Sequence, residues 1–173
     1  MIALFGLAGS GKSTQGRNLA EKNGWRWISV GEVLRNTGKF DEVLKAGELV
    51  DDMTVVRLMN QEIEKAETEG KQVVLDGYPR DVVQAEWLVK NGVAEKIKKA
   101  ILIKVPKEIL LERIKKRGRA DDTDEVIKRR FEIVEQNIYT ILSLLKTKNV
   151  EIVEIDGRGT IEEIERKIEE VIE

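Results

Sequence analysis

The chain contains no cysteine and no histidine. Without cysteine there is no disulfide and no thiolate metal site. Without histidine the usual general base and the commonest zinc ligand are both missing. Chemistry must then run on carboxylates, Lys, Arg, hydroxyls, backbone amides and a borrowed ion. Phosphoryl transfer fits that inventory, because its catalysis is mostly positioning and charge stabilisation. No stretch approaches the roughly 18 apolar residues of a membrane span. The apolar run Ile2–Phe5 is too short for a signal peptide, and no basic segment precedes it, so a cytoplasmic protein without a membrane partner is expected. Nor is there an excess of one charge: 30 Lys and Arg face 32 Asp and Glu, for a formal net charge of −2. A general nucleic-acid binder would need a clear basic excess, so any attraction for polyanions has to come from local arginine placement.

What is present suits one domain. The 173 residues are 41% hydrophobic, enough for a core, and 36% charged. High Lys, Glu and Ile content without Cys or His leans toward a heat-adapted source. There is no internal repeat, low-complexity tract or long linker. Ile2–Phe5, bounded by glycine, reads as a buried parallel strand. A helix is expected from about Lys12 to Lys22, closed by Asn23-Gly24, and a second strand at Trp27–Val30. Gly31–Glu69 is helical in pattern and broken at Gly38 and Gly47, with Thr54 as an N-cap before an apolar stripe of Val55, Val56, Leu58, Met59 and Ile63. Further strands are expected at Gln72–Leu75, Ala100–Val105 and Val150–Ile155. Helices are expected from Asp81, from Pro106 at the first helical position, along Val126–Leu145 with apolar residues at helical spacing, and along Ile161–Ile172. Alternating strands and helices imply an α/β fold with a parallel sheet covered on both faces.

Gly6-Leu7-Ala8-Gly9-Ser10-Gly11-Lys12-Ser13 fits the phosphate-loop pattern G-x-x-x-x-G-K-[ST] at every fixed position, between an apolar strand and a helix. Its glycines let the backbone wrap closely around phosphate with amides pointing inward. The helix beginning near Lys12 adds its positive dipole end. Lys12 is expected to reach the β- and γ-phosphates, the Ser13 hydroxyl to ligate Mg²⁺, and Thr14 to donate to the α-phosphate. The loop alone does not separate GTPase, ATPase and small-molecule kinase.

Four further segments bear on the second substrate: Ser29-Val30-Gly31-Glu32-Val33-Leu34-Arg35, Ala46-Gly47-Glu48-Leu49-Val50, Asp76-Gly77-Tyr78-Pro79-Arg80 followed by Gln84, and Arg113 and Arg117 with Arg119-Ala120-Asp121-Asp122 and Arg130. With the phosphate loop, and in this order, they resemble the adenylate kinase family of nucleoside monophosphate kinases over nearly the full length. The resemblance implies a P-loop NTPase fold: a three-layer α/β/α domain around a five-stranded parallel sheet. It also implies one kinase domain over 1–173, with a core of 1–29, 61–116 and 122–173, a helical monophosphate-binding insertion near 30–60, and a minimal lid near 117–121. The implied reaction carries the γ-phosphoryl group of Mg·ATP to AMP, giving two ADP.

The site residues follow from the same resemblance. Gly9, Ser10, Gly11, Lys12, Ser13, Thr14, Arg113, Arg117 and Gly159 would bind ATP, with Arg113 covering its adenine. Val30, Arg35, Glu48, Leu49, Val50, Gly77, Tyr78, Pro79, Arg80, Gln84, Arg119 and Arg130 would bind AMP. Arg35 and Arg80 would clamp its phosphate, and the Gln84 amide would pair with the adenine edge. Lys12, Arg80, Arg117, Arg119 and Arg130 would act on the transferring group, where several guanidiniums offset the repulsion of two anions. Asp76 would hold Mg²⁺ through water, and Asp121 would orient a lid arginine. No general base is needed, because the attacking oxygen already belongs to a phosphate.

Two departures from the family pattern stand out. Val30 replaces a small hydroxyl residue, which permits looser monophosphate choice. Only Gly118 separates Arg117 from Arg119, where relatives carry at least a short loop. Since a lid excludes water, ATP hydrolysis without AMP is expected, unless a neighbouring subunit supplies cover; monomer and small homo-oligomer both stay open. Other readings also stay open. A UMP/CMP or broad-specificity kinase fits the same parts, and an ATP-driven switch or scaffold is the answer from another class. Arg35, Arg113 and Arg130 read equally as exposed helix arginines. Asp122 with Glu125 reads as an acidic capping pair for the long helix, and Trp25, Trp27 and Trp87 as core or covering residues.

Overall fold

A computed structural model describes residues 1–46, 48, 50–118 and 122–172. Five strands, β1 (Ile2–Phe5), β2 (Arg26–Ser29), β3 (Val73–Asp76), β4 (Lys99–Lys104) and β5 (Glu151–Asp156), form one sheet in the order β2-β3-β1-β4-β5. Every pairing is parallel, as required when each connection returns through a helix. Strand β1 therefore lies between β3 and β4, and the chain crosses over it. In such sheets ligands bind outside the carboxyl ends of the strands at this switch point.

The helices are α1 (Lys12–Asn23), α2 (Val30–Asn36), α3 (Asp41–Lys45), α4 (Asp52–Thr68), α5 (Val82–Lys90), α6 (Lys107–Arg117), α7 (Asp124–Lys146) and α8 (Ile161–Ile172). The period-2 alternation of strand side chains sends Ile2, Leu4, Val74, Ile101, Ile103 and Ile155 to one face, where Leu19 of α1 and Ile164 and Ile168 of α8 cover them. Ala3, Phe5, Ile28, Val73, Leu75, Ala100 and Leu102 face the other way, onto α2, α4, α5 and α7. Each fully buried Leu or Ile contributes about 1.5–3 kcal/mol, so these two clusters dominate stability. A third cluster, Leu110, Ile114, Ile127 and Phe131, joins α6 and the start of α7 to Leu7 and Ala8 of the phosphate loop. The loop is thus packed from behind by a core of its own.

Four local expectations shift. Val30 opens α2 rather than closing β2, because β2 pairs with β3 only as far as Ser29 opposite Asp76. The cap of α4 is Asp51, not Thr54: its carboxylate accepts from Met53 N at 3.3 Å and Thr54 N at 2.9 Å. The hydrogen bonds from Thr54, with that from Met53, hold the Asp51 carboxyl below the usual aspartate range. Thr123, not Asp122, caps α7, its hydroxyl accepting from Val126 N at 3.3 Å. Pro106 is the residue before α6 rather than its first helical one. Helix α8 opens on a reciprocal pair: Thr160 N donates to Glu163 Oε2 at 2.8 Å, and Glu163 N donates to Thr160 Oγ1 at 3.2 Å.

Candidate active site

The phosphate loop leaves β1 at its carboxyl end and runs directly into α1. Gly9 has φ 83°, and a Cβ there would lie 2.9 Å from the Leu110 carbonyl oxygen, so only glycine fits between loop and α6. Helix α1 starts after Gly11 with no side-chain cap and no acidic residue in its first turn. Its leading amides and positive dipole end are open to an anion. Lys12 Nζ donates to the Leu7 carbonyl at 3.4 Å, folding the ammonium back over the loop. Ser10 is buried within the loop, and Thr14 is exposed on the first turn of α1.

Leu4 of β1 is in register with Asp76 of β3, and Gly77 N donates to the Leu4 carbonyl at 3.0 Å. This register sets Asp76 beside the phosphate loop. Asp76 is 2% exposed, and its Oδ2 has no hydrogen-bond partner. A Cβ at Gly77 would sit 3.4 Å from Arg80 Nη2 and 3.5 Å from Lys12 Cε, so these two cations approach each other across the Asp76–Arg80 turn. Burial pushes the Arg80 guanidinium below the ordinary arginine range; Asp76 opposes that shift, and Arg130 and Arg35 add to it. Guanidinium nonetheless stays charged, so Arg80 is a cation held among cations, and an added anion would relieve it.

These elements enclose a cavity of about 690 Å³. Lys12, Ser13, Arg35, Glu48, Asp76, Gly77, Pro79, Arg80, Arg117 and Arg130, all expected from sequence, line it together. Seven cationic and four acidic side chains contribute among the described residues. The cavity is therefore cationic inside a chain whose net charge is −2. Arg117 and Arg130 meet on one carboxylate: Asp122 accepts from Arg117 Nε at 3.0 Å and Nη2 at 2.7 Å, and from Arg130 Nη1 at 3.0 Å. This bridging replaces the capping role read for Asp122 with Glu125. Arg130 Nη2 also donates to the Leu44 carbonyl at 3.2 Å, and Arg129 lies 3.3 Å from Glu48, so Leu44 and Glu48 both touch α7.

Other expected residues sit apart from the cavity wall. Val30 and Val50 are buried in the core, where Val30 is 1% exposed. Tyr78 and Gln84 are also buried. Arg113 Nη2 donates to the carbonyls of Gly157 at 3.0 Å and Gly159 at 3.4 Å, which ties α6 to the loop after β5. Gly9, Ser10, Gly11 and Thr14 belong to the loop and the first turn of α1. Leu49 and Arg119, with Gly47 and Asp121, lie outside the described residues.

The cavity also contains Arg17, which carried no expectation from the sequence. The Arg17 guanidinium lies 4.3 Å over the Trp27 ring and pairs with Glu32, and all three line the wall. Arg17 follows Ser13 by one helical turn, a spacing legible in the sequence; its meeting with β2 and α2 is not.

No group of three or more Asp and Glu among the described residues could cage a metal. Mg²⁺ needs no such cage, since it keeps several waters and takes one or two protein oxygens plus substrate phosphates. The unpartnered Asp76 Oδ2 and the Ser13 hydroxyl in the same cavity fit such an ion. No helix among the described residues is long and apolar enough to cross a membrane.

Residues 4–150 match the family model described as adenylate kinase. Among similar curated proteins, the adenylate kinase of Synechococcus sp. (strain CC9902) is 31% identical over 182 residues, covering 99% of this chain and 98% of the relative. That of Porphyromonas gingivalis (strain ATCC 33277) is 34% identical over 189 residues, covering 99% and 95%. That of Thermus thermophilus (strain ATCC 27634) is 28% identical over 181 residues, covering 96% and 94%.

Proposed function

The chain belongs to the adenylate kinase family, a phosphotransferase of the nucleoside monophosphate kinase type, and we propose that it transfers the γ-phosphoryl group of Mg·ATP to AMP, giving two ADP. The observation that carries this reading is the junction of the open α1 N-terminus and Lys12 with Arg80, Arg35 and the Asp122-bridged arginines in one cavity.

In the proposed reaction the phosphate loop and Lys12 hold the donor phosphates, and Arg35 and Arg80 hold the AMP phosphate. An oxygen of that phosphate attacks the γ-phosphorus, the new P–O bond forms, and the bond to the departing ADP oxygen breaks. Arg117, Arg119 and Arg130 offset the charge spread over the transferring oxygens. The acceptor oxygen carries no proton that has to leave, so the absence of histidine does not matter. Ser13 and Asp76 would hold Mg²⁺, which neutralises phosphate charge when bound. Gln84 reads the adenine edge, and Arg113 with Gly159 flanks the ATP base.

Residues 30–60 act as the monophosphate-binding insertion and 117–121 as the lid in this proposal. The setting is cytoplasmic, where both nucleotides are supplied, and the working unit is a monomer or small homo-oligomer. A UMP/CMP or broad-specificity monophosphate kinase is the second reading: Val30, which offers no hydroxyl to the monophosphate, permits looser monophosphate choice. Measuring ADP formation from ATP with each monophosphate in turn separates the two.

A further inference from the structure

Gln84 is 1% exposed, and both ends of its amide are committed. Its Oε1 accepts from the backbone N–H of Arg80 at 2.9 Å, and its Nε2 donates to Asp52 Oδ1 at 2.7 Å. A backbone amide can only donate and a carboxylate can only accept. These two partners therefore dictate which way round the amide sits. Turning it over would set Nε2 against the Arg80 N–H and Oε1 against the Asp52 carboxylate, leaving two buried groups mispaired. One hydrogen on Nε2 and one lone pair on Oε1 remain for a ligand.

We infer that Asp52, on the first turn of α4, is a positioning residue that sets base choice by locking the Gln84 amide in one orientation. This rests on the reading of Gln84 as the group that meets the monophosphate base. Adenine presents an N6 donor beside an N1 acceptor, whereas hypoxanthine presents an O6 acceptor beside an N1 donor. A fixed amide matches one order and opposes the other, so the lock selects a 6-amino purine against a 6-oxo purine. Discrimination of this kind depends on the mispaired alternative being costly. Sequence alone gave no sign of it, because Asp52 and Gln84 are 32 residues apart and meet only when α4 packs beside α5.

The test is Asp52→Asn, whose amide can either donate to or accept from Gln84. Initial rates at saturating Mg·ATP, with AMP or IMP as acceptor, give kcat/KM for both proteins. The ratio for AMP over IMP should fall about tenfold in the variant, carried mainly by KM, while KM for ATP stays within about twofold. Equal losses for AMP and IMP, or an unchanged ratio, would overturn the inference and leave Asp52 a structural residue. A wild-type enzyme that phosphorylates other monophosphates but not AMP would overturn the underlying reading, and the inference with it. If Asp52→Asn fails to fold, Asp52→Ser carries the same test, since a hydroxyl both donates and accepts and suits a helix start.

Discussion

Arg117 meets Asp122 side-on, with Nε at 3.0 Å and Nη2 at 2.7 Å, and the same carboxylate accepts from Arg130. The Asp122 side chain is 4% exposed, so its carboxylate is sheltered in a charge-assisted bridge whose two guanidiniums stay partly exposed. It holds the end of α6 against the first turns of α7 and aims two guanidiniums at one place in the cavity.

Asp122→Ala should therefore loosen both arginines at once. Losing charge-assisted hydrogen bonds costs about 1.5–3 kcal/mol each before relaxation, so the thermal midpoint should drop by several degrees. kcat should fall at least about tenfold, because the two cations no longer stand ready over the transferring group. Steady-state kinetics with a thermal melt checks both, and a melt that moves with kcat unchanged would make the bridge purely structural.

Arg80→Ala should separate function from stability in the opposite sense. Arg80 is crowded by Arg35 and Arg130 as well as balanced by Asp76, so its removal relieves repulsion even as it loses an attraction. The fold should stay nearly intact while transfer to AMP falls about 10²–10³-fold. A large loss of thermal stability with unchanged transfer would count against the role given to Arg80.

Gly9→Ala tests the seat of the phosphate loop. The substitution demands φ 83° of alanine and pushes a methyl to 2.9 Å from the Leu110 carbonyl, a strain of about 1–3 kcal/mol. The variant should melt earlier and lose the rise in melting temperature that ATP confers. An unchanged rise with ATP would mean that α6 does not brace the loop.

Tyr78→Phe should stabilise the protein. Tyr78 is 0% exposed, its hydroxyl has no hydrogen-bond partner, and burial raises the pKa of its phenol with the nearby Asp52 adding to it. Removing an unsatisfied buried hydroxyl gains about 1 kcal/mol, which is about 2–4 °C in a domain of this size. A lower melting temperature would reveal a hydrogen bond, direct or through water, that the hydroxyl makes in solution.

With only Gly118 between Arg117 and Arg119, water should reach the donor phosphate more easily than under a large lid. ATP turnover without AMP should be detectable; turnover at background would show that the short segment, or a second subunit, closes the site completely.

Much of this molecule was readable along the chain. Strand β1, the phosphate loop and α1 follow from local chemistry, since an apolar run, glycine spacing and a basic helix start are all short-range signals. The Asp76–Arg80 segment was equally visible, and the register of Leu4 with Asp76 explains why it ends beside the loop. Element ends were less legible: the stripe from Val55 marks the buried face of α4 but not its start, which Asp51 sets by accepting from two amides. Least legible were side chains whose partners come from distant elements. Asp122 looked like a cap until α6 and α7 were brought together, and Arg17 acquires Trp27 and Glu32 only through the packing of α1 on β2 and α2.

ADP formation from ATP and Mg²⁺, with AMP, CMP, UMP and GMP as acceptors in parallel, decides whether this chain transfers phosphoryl groups to AMP. AMP should give the highest kcat/KM, with two ADP formed per ATP consumed. Preference for CMP or UMP would contradict the adenine assignment, and tight ATP binding without transfer to any of the four would contradict the kinase itself.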